Sequence, residues 1–122
     1  MSDDEEIDEI VRKLNERVET SPALLLVEGE KDRERVTSRG FRGQVLTLYE
    51  LMSRVESYER VEVIVLLDLD RQGEELLGYL RRRLGPNVKL DEEFRNSLRR
   101  TRRFRMGYRS IEELFKRRSG QN

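Results

Sequence analysis

Val61, Val63, Ile64, Val65, Leu66 and Leu67 form an apolar, largely β-branched run that stops abruptly at Asp68, and Asp70 follows two residues later. A run this apolar reads as a strand covered on both faces, which places it inside a parallel sheet. Alternate residues of a strand share a face, so Asp68 and Asp70 are expected to point the same way while Leu69 packs away. Open α/β sheets collect their ligands at the carboxyl ends of strands, where these two carboxylates stand. Clustered hard oxygen donors suit Mg²⁺ better than any soft metal.

A second stretch repeats the design. Ala23, Leu24, Leu25, Leu26 and Val27 end in Glu28, Gly29, Glu30, Lys31 and Asp32. The two runs lie about 40 residues apart, which leaves room for the crossover that parallel strands require. Acids after strands also cap the helices that follow. The two motifs together, with Asp68, Asp70, Gly73 and Glu74 intact, favour a ligand site over capping alone.

The 122 residues suffice for one domain with helices on both faces of a small sheet. The chain contains no Cys and no His. That excludes the usual zinc sites, a Cys or His nucleophile or base, and a disulfide. No apolar stretch approaches membrane-spanning length and the N-terminus is acidic, so a cytoplasmic protein without membrane partners is expected. A net charge of zero conceals a division along the chain: residues 1–80 hold 11 basic and 20 acidic side chains, residues 81–122 hold 14 and 5. Such segregation suits an acidic metal site beside a basic, phosphate-attracting flank; it also suits two halves that pair with each other.

Residues 2–18 read as a helix with a capping box at Ser2 and Glu5 and an apolar stripe of Ile7, Ile10, Val11, Leu14 and Val18. Further helices are expected over residues 30–39, stopped by Gly40, on the face of Leu48, Leu51, Met52 and Val55, and along Leu76, Leu77, Leu80 and Leu84. Short strands are expected at residues 44–47 and 87–90. Asp91 is placed as the cap of a helix carrying Phe94 and Leu98, residues 103–108 as an edge strand or extended arm, and Ser110 as the cap of a last helix. Residues 119–122 are expected to fray. The alternation of strands and helices predicts a parallel sheet with right-handed crossovers. The division is an N-terminal helix over 1–21, a core over 22–90 and a basic extension over 91–122.

Glu28, Gly29, Glu30, Lys31 and Asp32 resemble the Glu-Gly motif of the Toprim domain, and Asp68, Asp70, Arg71, Gly73 and Glu74 resemble its Asp-x-Asp motif. Toprim domains occur in type IA and II topoisomerases, primases, RecR-type repair proteins and ribonuclease M5. The resemblance covers residues 22–90, and the whole chain is similar to the small stand-alone Toprim proteins of archaea. It implies a compact Rossmann-like α/β fold of about four mainly parallel strands with helices on both faces. It further implies Mg²⁺, with Mn²⁺ as a substitute, held by Asp68 and Asp70 near Glu28, and Glu28 in general acid/base work. Gln72 stands where many relatives carry a third acid, and Glu74 is the residue that could compensate. Lys31 and Arg71 are expected either to meet a substrate phosphate or to pair with a neighbouring acid on the surface, and Arg99, Arg100, Arg102 and Arg103 of the basic flank are expected to meet phosphates.

The function this suggests is Mg²⁺-dependent processing of RNA or DNA by a phosphodiesterase or nuclease similar to ribonuclease M5. The alternative is a non-catalytic, metal-binding adaptor in nucleic-acid metabolism, and a homodimer or a larger nucleic-acid-processing complex is left open. A phosphatase of the haloacid-dehalogenase type also uses Asp-x-Asp, but after its first strand, whereas here the pair follows the third. Tyr49, Tyr58, Tyr79 and Tyr108 lie in no setting like that of a topoisomerase nucleophile, so a whole topoisomerase is not expected.

Overall fold

The computed structural model describes residues 1–117. The expected fraying of residues 119–122 lies outside the described residues. Helix α1 spans Asp3–Thr20 and starts with the expected capping box, in which the Ser2 hydroxyl accepts from the Glu5 N–H and the Glu5 carboxylate from the Ser2 N–H. Then follow β1 (Leu24–Val27), α2 (Glu30–Ser38), β2 (Val45–Thr47), α3 (Leu48–Ser53) and a 3₁₀ turn (Val55–Ser57). The chain continues with β3 (Val61–Val65), α4 (Arg71–Arg83), β4 (Val88–Asp91), α5 (Glu93–Leu98), α6 (Arg102–Arg105) and α7 (Ile111–Phe115).

The four strands form one parallel sheet in the order β2-β1-β3-β4, an α/β fold. Period-two alternation divides the apolar strand residues between two cores. Leu25, Val27, Ile64 and Leu66 face α1, α2, α5 and α7, meeting Ile7, Leu14, Val36, Leu98 and Leu114. Leu26, Val63, Val65 and Leu67 face α3 and α4, meeting Leu51, Leu77 and Leu80. That double burial is why β1 and β3 read as unbroken apolar runs. Among the described residues no helix is long and apolar enough to cross a membrane.

The C-terminal third is part of the domain body, since Phe94, Leu98, Ile111, Leu114 and Phe115 all lie in the first core. Two local expectations are corrected. Residues 103–108 form no edge strand: Thr101 caps a single helical turn by accepting from the Phe104 N–H, and the turn stops at Gly107 with φ near +106°. Asp91 closes β4 instead of capping α5 as its N-terminal residue, although its carboxylate accepts from the Glu93 N–H at 3.0 Å.

Candidate active site

Chain order reverses between β1 and β3, so the residues that leave these two strands open onto the crevice where doubly wound sheets take their ligands. Glu28 leaves β1 and Asp68 follows β3, and their meeting is direct: the Asp68 N–H donates to the Glu28 carboxylate at 2.9 Å. The Asp68 carboxylate accepts from the Ile111 N–H at 2.8 Å, at the start of α7. The Asp70 carboxylate accepts from the Gly73 N–H at 2.7 Å and caps α4. The capping role for acids after strands is therefore realised at Asp70.

The expected geometry of the Asp pair is corrected in one respect. The strand ends at Val65, and Asp68 and Asp70 stand on the loop beyond it, so strand alternation does not set their directions. Backbone donors set them instead. Each of Glu28, Asp68 and Asp70 spends one carboxylate oxygen on a backbone N–H, and the other takes no hydrogen bond among the described residues.

Burial and neighbouring acids hold two of these carboxyls toward the neutral form. Burial pushes the Asp68 carboxyl up to about 6; the hydrogen bond from Ile111 opposes this, and the charges of Glu28, Asp32 and Asp70 add to it. Burial likewise raises Glu28, opposed by the Asp68 N–H and reinforced by Asp70. Among the described residues no group of three or more acidic side chains is placed to hold a metal ion as it stands. Glu74 is not brought to the others: it pairs with Arg95 and, at 3.3 Å, with Arg99.

On the basic flank, Arg103 does not face solvent. It is 2% exposed, with its guanidinium on Asp3, Asp4 and the backbone carbonyls of Leu114 and Lys116, so it cannot serve as a free phosphate contact. Arg99 is shared with Glu74, while Arg100, Arg102, Lys31 and Arg71 remain exposed. The two halves of opposite charge thus pair with each other at Arg95, Arg99 and Arg103 and present exposed cations elsewhere.

A curated UPF0292 protein from Thermococcus onnurineus (strain NA1) is 32% identical over 114 residues, 88% of this chain and 80% of that one. The chain belongs to the UPF0292 family. A solved structure of a protein from Aquifex aeolicus is similar with a TM-score of 0.65 and 26% identity, over 86% of this chain and 94% of that one. No family model matches the chain.

Two parts of the site in this UPF0292 chain escape a reading of the sequence. Arg95, 2% exposed, reaches from α5 to the carbonyl oxygens of Leu67 and Asp68 while pairing with Glu74. It clamps the loop that carries the acids. Asp32 accepts from the Gly29 N–H at 3.1 Å and from the Glu112 N–H, so the start of α7 donates to two acids of the cluster. The capping pattern at Ser110 marks that helix start, and the i, i+3 spacing of Gly29 and Asp32 marks the turn. No pattern announces Arg95.

Asp68 carries a testable pH signature in metal-free protein. Its folded carboxyl titrates near 6 against an ordinary value of 3.8, so its contribution to stability is present below about pH 4 and is lost as pH rises through 6. Asp68→Asn keeps an acceptor for Ile111 and cannot ionise. In chelator-treated protein it is expected to be more stable than wild type by about 1–3 kcal/mol at pH 8 and equal to it at pH 4. Urea denaturation at the two pH values checks this, and a difference that does not change with pH refutes it.

Proposed function

We propose that the chain is a Toprim-type protein that hydrolyses phosphodiester bonds of RNA or DNA with Mg²⁺ or Mn²⁺, in the cytoplasm. The observation that carries this reading is the contact between Glu28 and Asp68 at the point of chain reversal, with both carboxyls drawn toward the neutral form by burial and by the charges of neighbouring acids.

The donor set fits the metal in a limited way. Mg²⁺ takes one or two protein carboxylates and fills the rest of its shell with water and phosphate, so it needs no three-acid cage. Asp68 and Asp70 offer one uncommitted hard oxygen each, with Glu28 beside them. A bound cation there would neutralise charge on the phosphate and on the departing oxygen. Glu28, with its raised proton affinity, takes the proton of the attacking water as that oxygen bonds to phosphorus and the ester P–O bond breaks. Lys31 and Arg71, at the starts of α2 and α4, are the exposed cations for the substrate backbone, and Arg100 and Arg102 are exposed as well. Such contacts give weak sequence preference and steep salt dependence.

Cleavage of end-labelled RNA and DNA oligonucleotides in Mg²⁺ or Mn²⁺ tests the reading. Glu28→Gln keeps size and polarity but carries no proton at neutral pH, so the rate is expected to fall about 10²–10⁴-fold with affinity retained. A second reading, a non-catalytic nucleic-acid adaptor, is favoured by the lack of a preformed three-acid group among the described residues. It takes first place if the wild-type protein cleaves none of these substrates.

A further inference from the structure

Three helices begin at the carboxyl edge of the sheet around Glu28 and Asp68, and their first turns include the exposed side chains of Lys31 on α2, Tyr49 on α3 and Arg71 on α4. Packing explains none of them. Tyr49 is 81% exposed and its ring and hydroxyl have no partner among the described residues. Arg71 is 94% exposed, touching only Glu75 at 3.3 Å, and Lys31 makes no ion pair among the described residues. Cations in a helix's first turn oppose its dipole, and the one ion pair of these two among the described residues, Arg71 with Glu75, lies on the surface.

Tyr49 leaves the sheet one strand away from Glu28, with Asp68 following the strand beyond. Val27 pairs with Thr47 in the β1–β2 register, so Glu28 and Leu48 leave the sheet side by side, one strand spacing apart, and Tyr49 follows at once. The ring stands on a fixed base. Thr47 caps α3, and Arg33 of α2 holds both the Glu50 carboxylate and the Val45 carbonyl, at 2.8 and 2.9 Å. An exposed aromatic on the same sheet edge as two cations is a combination that binds single-stranded nucleic acid, with the cations on phosphates and the ring under a base.

We propose that Tyr49 forms a stacking subsite for an unpaired base next to the phosphodiester held at Glu28 and Asp68, so that the substrate is single-stranded, or is a loop or end of a folded RNA. This rests on the hydrolase reading above and deepens it. A paired base inside a duplex offers no free face to the ring, so duplex binding gains nothing from Tyr49.

Fluorescence anisotropy with a labelled single-stranded oligonucleotide and with the matching duplex tests the subsite in the full-length protein, beside the cleavage assay. Tyr49→Ala is expected to weaken single-strand binding about 5- to 150-fold and to leave duplex binding unchanged. Tyr49→Phe is expected to bind like wild type, and Tyr49→Trp to bind as well with its fluorescence quenched by the base. The residue is on the surface, so the variants should fold, and circular dichroism verifies it. Unchanged single-strand binding in Tyr49→Ala, or an equal loss on duplex, overturns the subsite. If cleavage still falls in Glu28→Gln while Tyr49→Ala binds normally, the subsite fails and the hydrolase stands. A wild-type protein that binds neither form removes both.

Discussion

Arg103→Ala is expected to destabilise the protein by about 3–5 kcal/mol, the range for removing one partner from a buried charge network. The guanidinium reaches Asp3 at 3.0 Å and Asp4 at 2.6 Å and accounts for the carbonyl of Leu114 at 3.0 Å. Its loss removes the cation that these largely buried carboxylates and carbonyls share. Burial raises the Asp4 carboxyl, but the hydrogen bond from Arg39 and the charge of Arg103 outweigh this and hold it below its usual value. Its contribution is therefore present above about pH 4 and lost as pH falls through the lowered folded value. Urea denaturation should show the full effect at pH 7 and a smaller one in acid. Arg100→Ala, on the surface three residues earlier, should change stability by less than about 0.5 kcal/mol. A surface-sized effect at Arg103 would mean that the network contributes nothing.

Gly73→Ala is expected to damage fold and site together. A Cβ at this position would lie 1.8 Å from the Asp68 carbonyl oxygen, 2.8 Å from its carbon and 3.2 Å from the Arg95 guanidinium. None of these can yield cheaply: the carbonyl belongs to the backbone of a candidate ligand, and the guanidinium is itself buried. Glycine is needed here for close approach between two stretches of backbone. The cost is expected to be at least about 3 kcal/mol, at the upper end of overpacking effects. Any Mg²⁺ affinity seen calorimetrically in wild type should be lost with it. Gly78→Ala, in the same helix, meets only the flexible end of Arg82 at 3.4 Å and should stabilise by about 0.5–1 kcal/mol. Equal, mild effects at both glycines would show that the loop yields freely.

The parallel sheet was legible because β1 and β3 are buried on both faces and so carry no polar interruption. Glu28 and Asp68 were legible for a related reason: acids directly after such runs are few, and two of them mark the same edge. What escaped depends on partners distant in sequence. Arg95 and Arg103 look like members of a solvated basic stretch, and only contact with Glu74 and with Asp3 and Asp4 makes them interior residues. The alternation of Arg103, Phe104, Arg105 and Met106 imitates a strand, but the cap at Thr101 and the burial of Arg103 settle the turn as helix. The direction of Asp68 could not come from strand periodicity, because the strand had already ended and α7 supplied the donor.

Asp68 is held at three points, by Glu28 from β1, by Arg95 from α5 and by Ile111 from α7, and Arg103 ties the helix made first to the segment made near the end. Chains are synthesised from the N-terminus at about 5–20 residues per second, and early segments begin to fold before later ones exist. Here β1 to β4 can pair once residue 91 has been made, yet the acid at the centre of the crevice still lacks its donor from residue 111, and Arg103 has not yet reached Asp3 and Asp4. The sheet can therefore assemble during translation, while the crevice acquires its final shape only once Arg95 and Ile111 have followed.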